Sequence, residues 1–115
     1  MKIVVTGLGA TTPLGGDVKS TWDALLAGKS GISTLQKPWV EQYEIPVTFA
    51  GQAKVPASEV LTLQECKRLD PSSQFALIAA REAWADAGAP DVTPERLAVE
   101  FSTGIGGVWT LLDAF

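Results

Sequence analysis

Residues 70–88 have the sequence Asp-Pro-Ser-Ser-Gln-Phe-Ala-Leu-Ile-Ala-Ala-Arg-Glu-Ala-Trp-Ala-Asp-Ala-Gly, and this stretch contains the clearest folding signal in the chain. Asp70 is a good N-cap, Pro71 stands at a helical position that needs no N–H, and Gly88 suits a helix end. The sequence therefore predicts a helix over residues 71–87. Apolar residues cover most of its circumference, so we expect protein on nearly all sides of it.

Two short apolar segments on either side of this helix in sequence predict the main strands. Residues 2–6 lead into Gly7-Leu8-Gly9, and residues 97–103 lead into Gly104-Ile105-Gly106-Gly107. A short apolar run that ends at a glycine turn is typical of a buried strand. A third, shorter strand is predicted at residues 47–50, within a proline-containing segment that is otherwise loop.

Three further helices are predicted from local signals. The first follows the N-cap Asp17 and stops at Gly28, with one apolar face between them. The second is amphipathic and covers residues 57–69, with its basic residues at the C-terminal end, where they favour the helix dipole. The third begins at Val108 and has no stop signal before Phe115, so we expect a truncated sequence.

Composition limits the classes of function. A chain of 115 residues with 46% hydrophobic and 19% charged residues is typical of one small globular domain. A net charge of −4 provides no basic surface, so we expect no nucleic-acid partner. The longest apolar run, residues 75–80, is far shorter than the roughly 20 residues of a membrane span. A single cysteine and a start without a signal peptide favour the cytoplasm.

The chemistry-bearing side chains are few. The chain has no histidine and one cysteine, so it cannot build a Cys/His zinc site or a Cys-His nucleophilic pair by itself. Cys66 stands near the C-terminal end of a predicted helix, which disfavours a thiolate, and we interpret it as structural. Glu82 and Asp86 share a helix face that we interpret as solvated. We expect no catalytic residue, no metal site and no cofactor in this segment.

The two glycine-containing turns do not match nucleotide-binding motifs. Thr12 stands where a dinucleotide fingerprint needs glycine or alanine, and Pro13 delays the following helix. Neither turn ends in the Gly-Lys-Ser/Thr of a P-loop. We interpret both as tight turns that pack against a sheet, and a small nucleotide-binding module is a disfavoured alternative.

Several motifs resemble one known family in order and spacing: Val4-Val5-Thr6-Gly7-Leu8-Gly9, Ser20-Thr21-Trp22 with Ala24-Leu25-Leu26-Ala27-Gly28 and Ser30-Gly31-Ile32, and Thr103-Gly104-Ile105-Gly106-Gly107. They are similar to β-ketoacyl-acyl-carrier-protein synthases of types I and II. The resemblance implies an α/β, thiolase-like fold of layered αβαβα architecture. Residues 1–115 would be an N-terminal segment covering only part of the N-terminal half of such an enzyme.

The resemblance also implies an activity for the full protein. Members of this family catalyse decarboxylative Claisen condensation of an acyl thioester with malonyl-carrier protein, in fatty-acid or polyketide biosynthesis. They act as homodimers and use a cysteine and two histidines that lie further along the chain. We therefore expect an acyltransferase whose isolated N-terminal segment is inactive. The alternative is a non-catalytic chain-length-factor subunit, which shares the fold and the N-terminal pattern.

Three residues match functional positions of the family. Ile105 matches a residue that borders the acyl-chain pocket near the dimer interface; alternatively, it is a turn residue that fills the core. Lys67 and Arg68 match a basic stretch that helps to dock the acidic acyl carrier protein. The alternative for both is a favourable interaction of their charges with the helix C-terminus and nothing more.

Overall fold

The computed structural model describes residues 1–115 and divides into two compact units. One unit comprises residues 11–55, and the other comprises residues 1–10 together with residues 56–115. Each unit is described by itself below.

The unit of residues 11–55 begins with helix α1, Val18–Leu26. The Asp17 carboxylate accepts a 2.7 Å hydrogen bond from the Ser20 N–H, and the Ser20 hydroxyl accepts one from the Asp17 N–H. This reciprocal arrangement is a capping box, and it satisfies two amides that the helix leaves without partners. Gly28 follows the helix with φ of +65°, so the predicted start and end of this helix are confirmed. Ala24 is its buried residue.

A small hairpin completes this unit. Strand β1, Ile32–Thr34, pairs antiparallel with strand β2, Phe49–Gly51, and the first residue of each strand lies opposite the last residue of the other. The sequence predicted a strand at residues 47–50 but not its partner. Helix α2, Pro38–Gln42, lies between the strands in sequence and contributes the buried side chain of Val40.

In the other unit, the predicted helix over residues 57–69 is wrong in its continuity. The structure has a 3₁₀ turn at Ala57–Glu59 and a separate helix α3, Leu63–Arg68. Thr62 starts α3, because its hydroxyl accepts the Glu65 N–H at 3.3 Å while the Glu65 carboxylate accepts the Thr62 N–H at 2.9 Å. This second capping box interrupts the helix that the apolar periodicity indicated.

Helix α4, Pro71–Asp86, confirms the predicted central helix, with Asp70 as its N-cap. It is the longest helix of the chain, and no helix has the length and hydrophobicity that crossing a membrane requires. Ile78 is its one buried residue, whereas Phe75 and Trp84 are each 41% exposed. Residues 1–115 therefore do not cover this helix on nearly all sides.

The two predicted main strands, residues 2–6 and 97–103, are not formed as strands. A strand needs a neighbouring backbone with which to share its hydrogen bonds, and the chain's one sheet contains only β1 and β2. A second 3₁₀ turn, Pro94–Arg96, precedes residues 97–103, and helix α5, Val108–Asp113, follows them.

Most large apolar side chains near both ends of the chain are exposed. They include Ile3, Val4, Val5, Val99, Phe101, Trp109, Leu111 and Leu112. Folded monomers rarely leave extensive contiguous apolar surface in water, so these segments require further contacts to become buried.

Candidate functional site

An open cleft of about 560 Å³ lies beside α4 in the unit that contains both chain ends. Its wall consists mainly of small and apolar residues: Thr6, Gly7, Gly9, Ala79, Ala80, Ala83, Trp84, Ala87, Pro90, Leu97, Ala98, Val99, Glu100 and Phe101. Residues from both segments that the sequence predicted as strands therefore face the same space, although no strand ladder joins them.

Gly7 and Gly9 border this cleft where the chain passes close to α4. A methyl group on Gly7 would overlap the carbonyl oxygen of Ala83, and one on Gly9 would overlap that of Ala79. Only glycine permits so close an approach of two backbones. The first glycine turn is therefore packed against a helix, and the prediction that it packs against a sheet is wrong for this contact.

Two acidic side chains of α4 bind the same turn. The Leu8 N–H donates to Oδ2 of Asp86 at 2.9 Å, and the Ala10 N–H donates to Oε2 of Glu82 at 2.8 Å. Asp86 is exposed, as the interpretation of a solvated face expects, whereas Glu82 is half-buried, so that interpretation is wrong for Glu82. Two residues of extended chain span about 6.7 Å and four residues of helix about 6 Å, so the two spacings match.

Ile105 lies in the second glycine turn and is 81% exposed. The turn is held locally, because the Gly106 N–H donates to the Thr103 hydroxyl at 3.2 Å. Gly106 has φ of +77°, a backbone conformation that other residues rarely adopt. The structure thus presents the Ile105 side chain outward from a constrained turn.

Asp70 connects this turn to the start of α4. Its Oδ1 accepts the N–H and the hydroxyl of Ser72, both at 3.0 Å. Its Oδ2 accepts the N–H of Thr110 in α5 at 3.2 Å and the Thr110 hydroxyl at 3.1 Å. Hydrogen bonds from Ser72, and then from Thr110, hold the pKa of the Asp70 carboxyl below its ordinary value.

Lys67 and Arg68 are exposed in the last turn of α3, and neither forms a salt bridge. The end of this helix is fixed by Gln74, whose side-chain amide donates to the carbonyl oxygens of Cys66 and Leu69 at 3.0 and 2.8 Å. The basic pair therefore projects from an ordered helix end that leads directly into Asp70.

An ion pair fastens α3 to α4. Nη2 of Arg81 lies 2.6 Å from Oε1 of Glu65, and Nη1 lies 3.3 Å from Oε2. The hydrogen bond from Arg81 and those from Thr62 lower the pKa of Glu65 to about 2. This pair fixes the helix that carries Lys67 and Arg68.

The arrangement is suited to binding and positioning. Asp70 links the helix end that carries Lys67 and Arg68 to the turn that carries Ile105, so the predicted site residues lie in connected segments. Sequence reasoning did not assign a function to Asp70 beyond the N-cap of α4. Nothing in the local pattern around Asp70 indicates a partner 40 residues later. The hydrogen bond from Thr110 could therefore be found only in the structure.

Comparison with known proteins gives a consistent result. Residues 1–113 match the family described as "Beta-ketoacyl synthase, N-terminal domain". The chain is 35% identical over 113 residues to 3-oxoacyl-[acyl-carrier-protein] synthase 2 of Mycobacterium bovis, which covers 98% of this chain and 27% of that protein. It is 38% identical over 112 residues to the enzyme of the same name from Staphylococcus aureus strain N315, covering 95% of this chain and 27% of the relative.

The corresponding Mycobacterium leprae protein is 34% identical over 113 residues, with coverage of 98% of this chain and 27% of the relative. The chain thus spans about a quarter of the length of these curated relatives. The match extends from the first glycine turn through the Ile105 turn to α5, so it includes every residue of the candidate site. This chain belongs to the β-ketoacyl synthase family, and its residues 1–113 match the N-terminal domain of that family.

Proposed function

We propose that residues 1–115 form the N-terminal segment of a 3-oxoacyl-acyl-carrier-protein synthase of fatty-acid or polyketide biosynthesis. The observation that carries this proposal is the family match over residues 1–113, supported by relatives that bear this name. In the proposed reaction a cysteine thiolate attacks the acyl-carrier thioester, which forms an acyl-cysteine thioester and releases the carrier thiol. Malonyl-carrier protein loses carbon dioxide, and the resulting enolate attacks the acyl-cysteine thioester, which forms 3-oxoacyl-carrier protein and releases the cysteine thiolate.

This segment contributes binding surfaces to that reaction. It has no histidine, and its one cysteine, Cys66, lies half-buried in α3 with no histidine of this segment to activate it. The nucleophilic cysteine and the two histidines that stabilise the enolate are therefore proposed to lie elsewhere in the protein. We propose that a polypeptide of residues 1–115 alone is inactive.

The layered thiolase-like architecture is part of the proposal. The exposed apolar side chains on residues 1–10 and 97–115, and the half-exposed Phe75 and Trp84 of α4, support it. In a layered fold such surfaces lie between a sheet and a helix layer, where they are removed from water. A homodimer and a cytoplasmic location, both predicted from the resemblance and the sequence, complete the proposal.

Ile105 is proposed to contact the acyl chain. Its high exposure and its place in a constrained turn support this role, because a fixed apolar side chain can limit the depth of a pocket. Lys67 and Arg68 are proposed to attract the acidic carrier protein. Their freedom from salt bridges supports this role, because unpaired cations steer an anionic partner best.

One experiment tests the main proposal. The intact protein is incubated with acyl-carrier protein and malonyl-carrier protein, and 3-oxoacyl-carrier protein and released carbon dioxide are measured. Production of both in equal amounts supports the synthase. The matched control is a variant in which the proposed nucleophilic cysteine is replaced by alanine, and this variant should form no product. If condensation requires addition of a second synthase subunit, the chain-length-factor alternative replaces the proposal.

The role of Ile105 has its own test within that assay. Ile105→Phe should shorten the preferred acyl chain, and Ile105→Ala should lengthen it, because the volume at the pocket border changes in opposite directions. Leu63→Phe, which enlarges an exposed apolar residue of α3, is the control and should leave the preference unchanged. An unchanged preference in both Ile105 variants would remove Ile105 from the acyl site.

A further inference from the structure

Asp70 caps two helices with one carboxylate. For α4 it is the ordinary N-cap, and its Oδ1 accepts the N–H of Ser72, the second residue of that helix. For α5 the N-cap position is Gly107, which has no side chain and makes no capping hydrogen bond. Oδ2 of Asp70 accepts the N–H of Thr110, the third residue of α5, and so performs the missing capping function from a distance.

Gly107 lies directly beside the Asp70 carboxylate. A methyl group built on Gly107 would lie 3.6 Å from the Asp70 carboxylate, in ordinary contact with it. A capping side chain at position 107 would therefore compete with Asp70 for the same amides of α5. Gly107 leaves these amides to Asp70, and the Thr110 hydroxyl adds a second donor at 3.1 Å.

The position of the Ile105 turn therefore depends on Asp70. Gly107 follows Ile105 by two residues and immediately precedes α5, so a shift of α5 moves the turn. On the other side, Asp70 follows Arg68 by two residues, and it begins the helix against which the chain start is packed. One carboxylate thus connects the segment that follows the basic end of α3 to the helix that follows the turn.

We infer that Asp70 is a positioning residue that sets acyl-chain selectivity by fixing the Ile105 turn relative to the carrier-docking end of α3. The inference rests on the proposed function, because it assigns Ile105 to the acyl pocket and Lys67 and Arg68 to the carrier. Asp70 itself touches neither substrate nor nucleophile; it acts through Ile105.

Asp70→Asn separates the two capping functions. Asparagine is as good an N-cap as aspartate, so α4 retains its cap. The carboxamide has one acceptor oxygen, and with that oxygen on Ser72 its NH₂ faces the Thr110 N–H and cannot accept its hydrogen bond. The matched control is Ser72→Ala, which removes one hydrogen bond on the α4 side and leaves the bonds to Thr110 in place.

The experiment uses the intact protein and two measurements. Hydrogen exchange of the Thr110 amide should accelerate about tenfold in Asp70→Asn, as expected for loss of a charge-assisted hydrogen bond, and should not change in Ser72→Ala. The ratio of kcat/KM for long and short acyl-carrier substrates should shift about threefold or more in Asp70→Asn and stay unchanged in Ser72→Ala. A merely structural role would lower kcat/KM for all substrates by the same factor.

Two outcomes overturn the inference. One is an unaltered Thr110 exchange rate in Asp70→Asn, and the other is an equal change in the selectivity ratio in Ser72→Ala. If Asp70→Asn fails to fold, Asp70→Ser decides, because serine is as good an N-cap for α4, while its single, shorter side-chain oxygen cannot also accept the Thr110 N–H. An unchanged selectivity ratio in Asp70→Ser would then reject the inference.

Failure of the proposed function gives a different result. If the wild-type protein performs no condensation, the proposed function fails, while the exchange measurement still tests the double cap. If the wild type condenses with normal selectivity and Asp70→Asn retains it, only the inference about Asp70 fails.

Discussion

Glu65 and Arg81 form a two-point ion pair between α3 and α4, with the shorter contact at 2.6 Å. The Glu65 carboxylate also closes the capping box of α3 through the Thr62 N–H. One side chain therefore both starts a helix and fixes that helix to its neighbour. Protonation of this carboxylate would weaken both contacts, because a neutral acid is a poorer acceptor for a guanidinium and for an amide.

Stability should depend on the charge of Glu65 at low pH. Its folded pKa is about 2, below the ordinary value of 4.5, so its contribution is complete above pH 4.5 and lost as the pH falls toward 2. Glu65→Gln should therefore reduce stability near neutral pH and flatten the fall in stability below pH 4.5. Urea denaturation midpoints across this range measure the effect.

A matched control exists for the ion pair. Asp23→Asn breaks the Lys19–Asp23 pair, which joins exposed residues four apart in α1, and should change the midpoint little. Some pH dependence should remain in Glu65→Gln, because the pKa of Asp70 is also lowered and its contribution is likewise lost on acidification. Identical pH profiles for wild type and Glu65→Gln would contradict the assigned role.

Gly9→Ala should destabilise the protein by about 2 kcal/mol or more, because the new methyl group overlaps the backbone of α4 at Ala79. Gly104→Ala is the control, since no atom lies within 4 Å of a methyl group there and its φ is not positive. Chemical denaturation measures the free energy of unfolding of both variants. Equal stabilities of the two variants would show that the chain start does not approach α4 so closely.

The Glu82 carboxylate should contribute to holding the first glycine turn. Glu82→Ala leaves the Ala10 N–H, which is half-buried, without its acceptor, and should cost about 1 kcal/mol. Glu82→Gln keeps an acceptor oxygen and should cost less. Hydrogen exchange at Ala10 should accelerate in the alanine variant only; equal exchange in both variants would show that the bond does not protect this amide.

Carrier-protein binding should depend on Lys67 and Arg68. Replacing both with glutamate in the intact protein should raise the Kd for the acidic carrier about tenfold at low salt. The increase should be smaller at high salt, where charges are screened. Lys29→Glu with Lys37→Glu is the control, because both lysines are exposed and the change in charge is the same. Equal weakening by the two double variants would indicate a general charge effect without a docking site.

A polypeptide of residues 1–115 made alone should bind a hydrophobic dye and lack condensing activity. The exposed side chains of α5 and residues 97–101 provide the apolar surface for the dye. Fluorescence of the dye and a thermal melt measure this behaviour. A cooperative melt without dye binding would show that these 115 residues cover their own apolar surface.

The helices could be predicted because their signals are local. Asp17 and Asp70 are the N-caps of α1 and α4, and Gly28 and Gly88 follow the ends of these helices. Such signals act on adjacent amides and need no distant partner. The interruption at Thr62 was missed because apolar periodicity on both sides of it concealed a second capping box.

The strands and the side-chain bonds of the candidate site could not be predicted in the same way. Strand formation at residues 2–6 and 97–103 depends on a partner strand that the sequence pattern does not identify. The same holds for β1, whose central residue Ser33 pairs with Ala50 of β2. The bonds from Ala10 to Glu82 and from Thr110 to Asp70 join residues 72 and 40 positions apart. The residue types permitted these contacts, but only the fold brings them together.

The matched spacing of the Leu8 and Ala10 amides with Asp86 and Glu82 limits how this region can change during evolution. Insertion or deletion of one residue between Gly7 and Ala10 would turn the wrong amides toward α4 and place a side chain where only glycine fits. Length changes should therefore be rare in this turn.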